Sequence, residues 1–302
     1  MRLCLCAATL PDHTPADRAL QARTTKPGHN PTDRAHLARN TELDHTPTTD
    51  RALKARTTEQ ETLGTARIVE EAVLAASKTG FRCLEMSLEA VEDYLAVYPL
   101  VVLDAFLAEY GCHIGATSGF ALDADPTDNE TGRWSLLQAR FLEVCTHLDG
   151  LGGGILTLGA VAGKEHVPTL RALSALAQPY DVQLTLECGP AGNSEQLSPA
   201  EGADLLHRIR CPNVGLAYTV DETEITLSQQ AQLDEFASKV LLWRCPVSDA
   251  AGIRSIVKRR HGLCSIKPPA GLNPLEAARA AAAYAASIGF APTETASPNR
   301  QT

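Results

Sequence analysis

The chain has 302 residues, 44% of them hydrophobic, and carries a formal net charge of −9 at pH 7. This composition supplies a large apolar core, and the acidic balance argues against nucleic acid or an anionic membrane surface as a partner. No stretch approaches the roughly 18 apolar residues of a membrane span. The nine cysteines form no Cys-x-x-Cys pair, and several lie in apolar runs, which favours reduced, buried thiols in a cytoplasmic protein.

A duplicated segment follows the short apolar run at the N-terminus. The stretches DHTPADRALQARTT, GHNPTDRAHLARNT and DHTPTTDRALKARTT place their first histidines sixteen residues apart. Each copy contains too few large apolar residues to bury a core. Residues 11–64 are therefore expected to form a flexible insert, and their histidines are interpreted as copies of one segment rather than as metal ligands.

Predicted strands and helices alternate from residue 65 onward. With residues 3–10 as the first strand, the remaining seven are FRCLEMS, HIGATSGF, GILTLGA, VQLTLEC, VGLAYTV, KVLLWRCPV and GLCSIKP. A helical pattern follows each strand, including one long helix over VEDYLAVYPLVVLDAFLAEYG that runs through Pro99. Repeated βα units imply a parallel sheet.

Eight βα units predict an α/β fold, a (β/α)8 TIM barrel. The barrel is expected to form a single domain over residues 1–290, with the insert 11–64 in its first βα loop and a disordered tail at 291–302. An open doubly wound sheet is the alternative. Such sheets usually have five or six strands and a glycine-rich phosphate loop, and no such loop follows the first strand here.

Several strand segments resemble the xylose-isomerase-like family of sugar isomerases, epimerases and dehydratases. GFRCLEMS is similar to a segment of the form G-F-D-G-V-E-L in that family, and VQLTLEC, CPNVGLAYTVDE and LLWRCPVSDA resemble its fifth, sixth and seventh strands. The resemblance follows the family's order through residues 65–290. It implies a divalent metal at the C-terminal mouth of the barrel, held by Glu, Asp, His and Glu on strands five to eight.

Most of the implied metal-binding positions are changed in this chain. Glu187 is retained on strand five, but Thr219 stands at the Asp position and Pro246 at the His position. The strand-eight Glu falls at or near Lys267, and Glu222 replaces the His of a D-x-x-H motif. The candidate metal ligands are therefore Glu187 and Glu222, which would hold Mg or Mn weakly or hold no metal.

The candidate catalytic residues Glu85, Glu187 and Lys267 lie at the ends of predicted strands, where barrel enzymes have their active sites. Lys267 is expected to lie opposite Glu187 and to neutralise it in place of a metal. Period-two alternation also points Arg244 inward. The candidate substrate-binding residues are Arg244, Thr219 and Asp249. His113 begins strand three at the opposite mouth and is interpreted as structural.

These residues favour a sugar isomerase- or epimerase-like enzyme that moves a proton next to a carbonyl of a small polyhydroxylated or keto compound, without the family's usual metal site. Two alternatives stay open. The first is an aldolase or lyase that forms a Schiff base through Lys267. The second is a noncatalytic barrel that binds a metabolite or a partner protein. A small molecule is the expected partner, and homo-oligomer formation stays open.

Overall fold

A computed structural model describes residues 2–6, 66–122, 132–159, 166–189, 196–220, 234–247 and 262–290. The predicted insert 11–64 and the tail 291–302 lie outside these ranges, as do the candidate residues Glu222 and Asp249. Within the described ranges, no helix is both long and apolar enough to cross a membrane.

Eight strands close into a barrel in chain order, with the last strand paired to the first. The strands are β1 Arg2–Cys6, β2 Cys83–Ser87, β3 His113–Phe120, β4 Gly154–Leu158, β5 Val182–Cys188, β6 Val214–Thr219, β7 Val240–Pro246 and β8 Leu263–Lys267. Every neighbouring pair is parallel. The structure therefore confirms the predicted TIM barrel.

Helices occupy the connections between the strands. They are α1 at 66–79, α2 Leu88–Val97, α3 Leu100–Glu109, α4 Arg133–Gly150, α5 Val167–Ala177, α6 Pro199–Ile209 and α7 Pro274–Ser287. Short 3₁₀ turns, Gln178–Tyr180 and Ala237–Lys239, lead into β5 and β7. Ser198 and Asn273 begin α6 and α7 with reciprocal capping boxes, each followed by a proline at the first helical position.

The predicted long helix after β2 is wrong, because the chain breaks at Pro99 into α2 and α3. Tyr98 ends α2 in an extended conformation, with φ −123° and ψ 138°, and Pro99 is the N-cap of α3. The proline ring disfavours helical geometry at the preceding residue and removes a backbone donor. The break gives this connection two short helices.

Strand alternation sorts the buried side chains into an outer core and a barrel interior. In the outer core, Phe120 of β3 packs edge-on against Phe141 of α4, with ring centroids 5.3 Å apart. The interior holds a smaller apolar cluster of Cys4, Cys83, Ala116, Ile155, Ala217, Leu242 and Leu263. On most of these strands the next inward position is polar, and the buried or nearly buried examples are Glu85, Thr157, Arg244 and Ser265. The interior thus changes from apolar to polar toward the C-terminal ends of the strands.

The cysteines agree with the sequence-based expectation. All nine are free thiols, and eight of them are buried. Cys211 alone among them is partly exposed. The thiols therefore serve mainly as small apolar side chains in the two cores.

Candidate active site

Two carboxylates and a guanidinium meet inside the barrel, one layer above the apolar cluster. Glu85 follows the inward Cys83 on β2, and Arg244 follows the inward Leu242 on β7, because alternate residues of a strand face the same side. Glu187 lies near the end of β5. The Glu85 side chain is 2% exposed and that of Glu187 is 28% exposed, so one carboxylate is buried and the other reaches the mouth.

The Arg244 guanidinium joins side chains from three other strands. Its Nε donates to Glu85 Oε1 at 2.6 Å, its Nη1 to Glu187 Oε1 at 3.0 Å, and its Nη2 to Thr157 Oγ1 at 3.2 Å. Thr157 in turn accepts a hydrogen bond from Thr185 Oγ1 at 2.9 Å. A planar fork of donors suits this arrangement, because its directions are fixed and several acceptors can be engaged at once.

The neighbouring carboxyl groups hold Arg244 in its charged form. Burial alone would lower the pKa of Arg244, but the charges of Glu85 and Glu187 outweigh burial and raise that pKa above its ordinary value. The guanidinium therefore stays protonated at any physiological pH. Of its two carboxyl partners, Glu187 is the one closer to solvent.

Two buried oxygen atoms of this layer lack partners among the described residues. They are Glu85 Oε2 and Ser265 Oγ, and neither is accessible to solvent. Ser265 pairs in register with Arg244 on the neighbouring strand. A buried polar atom without a hydrogen bond costs about 1–3 kcal/mol, so these oxygens favour an internal water molecule as a partner.

Lys267 does not take the predicted place opposite Glu187. It ends β8 in register with Pro246, one inward position beyond the pair formed by Arg244 and Ser265, and its side chain is exposed. The cation that contacts Glu187 is Arg244. The expectation of a neutralising Lys267 is corrected on this point, because the guanidinium reaches Glu187 from the layer below while Lys267 stays solvated at the rim.

The remaining candidates fall into two groups. Thr219 ends β6, is half-buried, and pairs in register with Arg244, so it lies beside the cluster as predicted for a substrate-binding residue. Asp249 and Glu222 lie outside the described residues. Glu85, Glu187, Arg244 and Thr219 are thus brought to one end of the barrel.

The described residues do not fit the divalent metal that the family resemblance implies. Among the described metal-binding positions of the family, Glu187 is the one that keeps its acidic residue. Its Oε1 already accepts a hydrogen bond from Arg244. Thr219, Pro246 and Lys267 stand at the other three positions, and a guanidinium beside the site repels a dication. Across the described ranges, no group of three or more His, Cys, Asp or Glu side chains is arranged to hold a metal ion.

Sequence reasoning missed the two threonines beneath the guanidinium. Thr157 and Thr185 are both 0% exposed and hydrogen-bonded to each other. Thr157 is the one polar side chain of GILTL, and Thr185 lies between Gln183 and Glu187 on the alternating polar face of VQLTLEC. The available signal was therefore a polar residue at an inward position of a barrel strand.

The closed parallel barrel is a fold that this chain shares with solved structures of other proteins, sugar epimerases among them. No protein-family model matches the sequence, and no curated protein matches it either. The likeness therefore rests on solved structures.

Three of these structures illustrate the likeness. The IolI protein with a bound zinc atom has a TM-score of 0.57 at 15% identity, with 72% of this chain and 91% of that chain covered. A D-allulose 3-epimerase from Methylomonas sp. has a TM-score of 0.58 at 14% identity, with coverage of 74% and 92%. A D-psicose 3-epimerase from Clostridium cellulolyticum H10, in a structure with D-tagatose, has a TM-score of 0.52 at 13% identity, with coverage of 70% and 84%. At these identities the comparison establishes the fold.

Proposed function

We propose that this chain is a sugar isomerase- or epimerase-like enzyme that moves a proton on the carbon next to a carbonyl of a small polyhydroxylated or keto compound. The observation that carries the proposal is the contact between Glu187 and Arg244 at the C-terminal mouth. It puts a partly exposed carboxylate beside a fixed cation, which is the pair of groups that this reaction requires.

The two groups divide the chemistry between them. Glu187 takes the proton from the carbon, and the electron pair moves onto the neighbouring carbonyl oxygen. Arg244 stabilises the negative charge that develops on that oxygen. Return of a proton to the opposite face of the same carbon gives the epimer. Return of the proton to the former carbonyl carbon, with the hydroxyl proton passing to the former carbonyl oxygen, gives the isomer. A positioned acid or base contributes typically 10²–10⁴-fold to such a step.

Glu85 has a positioning role in this proposal. It is buried behind the guanidinium and binds Nε, so it fixes the orientation of Arg244 toward Glu187. The buried Thr157 restrains the opposite side of the fork. Lys267, Thr219 and Asp249 are proposed to contact substrate hydroxyl or carbonyl oxygens around the rim.

The test is turnover of an aldose and ketose panel in deuterated water, with deuterium at the carbon next to the carbonyl measured by NMR. Glu187→Gln should lower the rate of exchange and of turnover by at least about 100-fold. Glu143→Gln, on the exposed face of α4, is the matched control and should change neither rate. Unaltered exchange in Glu187→Gln would remove that residue from the mechanism.

The exposure of Lys267 supports a second candidate, a Schiff-base aldolase or lyase. Its side chain lies at the rim and makes no ion pair with the described residues, so a carbonyl compound can reach it. Borohydride reduction with a carbonyl substrate present should then attach the substrate to Lys267. An unlabelled Lys267 peptide would reject this candidate, and ligand-induced thermal stabilisation without any turnover would favour the noncatalytic barrel.

A further inference from the structure

A cavity lies at the opposite mouth of the barrel from the candidate active site. It has a volume of about 330 Å³ and is lined by residues at the N-terminal ends of the strands. Those used below are Cys83, His113, Gly115 and Asp181. Cys83 is only 3% exposed, so a reagent reaches its sulfur through this cavity.

Cys4 stands directly beside Cys83. The two residues are partners in register on the adjacent parallel strands β1 and β2, and both belong to the interior cluster. Neighbouring strands lie about 4.8 Å apart, and disulfides form between Cα atoms about 4.4–6.8 Å apart. The backbone therefore already has a spacing that a disulfide accepts.

The surroundings of Cys83 are shaped around its sulfur. A Cβ atom at Gly115 would collide with Cys83 Sγ, so glycine at this position leaves the space that the sulfur occupies. Such a Cβ atom would also lie 4.0 Å from His113 Nε2, which places the imidazole on the same side. His113, interpreted from the sequence as structural, thus belongs to a cluster with two thiols.

Cys83 differs chemically from the other buried thiols. The neighbouring Cys4 thiol and the His113 imidazole outweigh burial and lower the pKa of Cys83 to about 6. Burial raises the pKa of Cys112 to about 11 and those of Cys145 and Cys188 to about 12. The direction of these shifts favours the reactive thiolate form at Cys83 and the protonated, unreactive form at those three thiols.

Few other charged groups bear on this pair. The groups that act on Cys83 are the Cys4 thiol and His113, and Asp181 lies farther along the cavity wall. Burial and the neighbouring Cys83 raise the pKa of Cys4 well above its usual value, and Glu85 and Cys6 act in the same direction. The pKa of Cys83 is thus lowered while that of Cys4 is raised.

We propose that Cys83 and Cys4 form an oxidisable thiol pair at the N-terminal mouth, with hydrogen peroxide as the oxidant. The Cys83 thiolate attacks one peroxide oxygen, the O–O bond breaks, and hydroxide leaves, which makes Cys83 a sulfenic acid. The Cys4 sulfur then displaces the sulfenic oxygen, and the Cys4 proton leaves with it as water. In total, two thiols and one peroxide give one disulfide and two waters.

The disulfide would join the first two strands covalently across the long segment between them. Residues 5–82, which include the predicted insert 11–64, would become a closed loop. The pair is thus a site of covalent modification separate from the polar cluster at the other mouth.

The test uses the reduced full-length protein, treated with hydrogen peroxide, alkylated and digested for peptide mass spectrometry. We expect a cross-link between the Cys4 and Cys83 peptides. Cys4→Ser should instead leave Cys83 as a sulfenic acid that dimedone traps, and Cys83→Ser should give neither product. Cys6→Ser and Cys211→Ser are the controls. Cys6 is chosen because it shares a peptide with Cys4, and Cys211 because it is the partly exposed thiol. Both variants should retain the cross-link, since neither residue belongs to the proposed pair.

The pH dependence of alkylation distinguishes a Cys83 thiol with a lowered pKa from a thiol that reacts only because it is accessible. The rate of Cys83 alkylation should be half-maximal near pH 6, and His113→Gln should shift that midpoint upward. In the urea-unfolded chain the midpoint should be near the ordinary value of about 8.5. Oxidation confined to other cysteines, or a folded-state midpoint above about pH 8, would overturn the proposal.

Discussion

Replacing Arg244 by methionine tests how strongly the polar cluster holds the barrel together. Methionine has a similar length but no charge, so the variant leaves the buried Glu85 carboxylate without its cation. Breaking a buried ion pair by removing one partner costs about 3–5 kcal/mol. Glu187 is partly exposed and regains water, so its lost contact adds only about 0–1 kcal/mol. We expect Arg244→Met to lower the free energy of unfolding by about 4 kcal/mol.

The assay is urea unfolding followed by circular dichroism, with the double variant Glu85→Gln/Arg244→Met completing a mutant cycle. Glutamine carries no charge, so the double variant has no buried, unpaired carboxylate. Its loss of unfolding free energy should therefore be about 2–3 kcal/mol smaller than the sum of the losses of the two single variants. Arg67→Met is the control, because Arg67 pairs with Glu71 on the exposed face of α1 and should cost less than about 0.5 kcal/mol. A loss below about 1 kcal/mol for Arg244→Met, with additive effects, would refute the reasoning.

Three further variants probe the scaffold by urea unfolding. Ser198→Ala removes the N-cap of α6 and should cost about 1 kcal/mol at pH 7. The Ser198 hydrogen bonds lower the pKa of Glu201. Their contribution to the free energy of unfolding is therefore present above the unfolded pKa of a glutamate and is lost as pH falls through the lower folded value. The difference in unfolding free energy between Ser198→Ala and wild type should thus become smaller in acid. Phe141→Ala empties a fully buried site and should cost about 3–5 kcal/mol, and a loss below about 2 kcal/mol would contradict the packing described. Gly215→Ala places a methyl group 2.8 Å from the Lys239 carbonyl oxygen and should cost about 1–3 kcal/mol, whereas an unchanged midpoint would contradict this contact.

The order of elements could be predicted from the sequence because hydrophobic periodicity and strand count are local properties. The same alternation correctly turned Arg244 inward. It could not say which cation meets Glu187, since that depends on side-chain reach across the barrel rather than on strand position. A guanidinium from the layer below spans the gap, while Lys267 stays at the rim. The rule for residues before proline predicts a helix break at Pro99. The helical periodicity on both sides of Pro99 led to the prediction of one continuous helix instead.

The bridge between Glu85 and Arg244 also bears on how the barrel assembles. Its two ends are 159 residues apart in the chain, and it joins strands that are not neighbours in the sheet. Contacts of such long sequence separation form only after the intervening loops have been closed, at a cost in chain entropy. We therefore expect the bridge to form at the final closure of the barrel, after the transition state for folding. In that case its energy should act chiefly on the rate of unfolding and thus on the lifetime of the native protein.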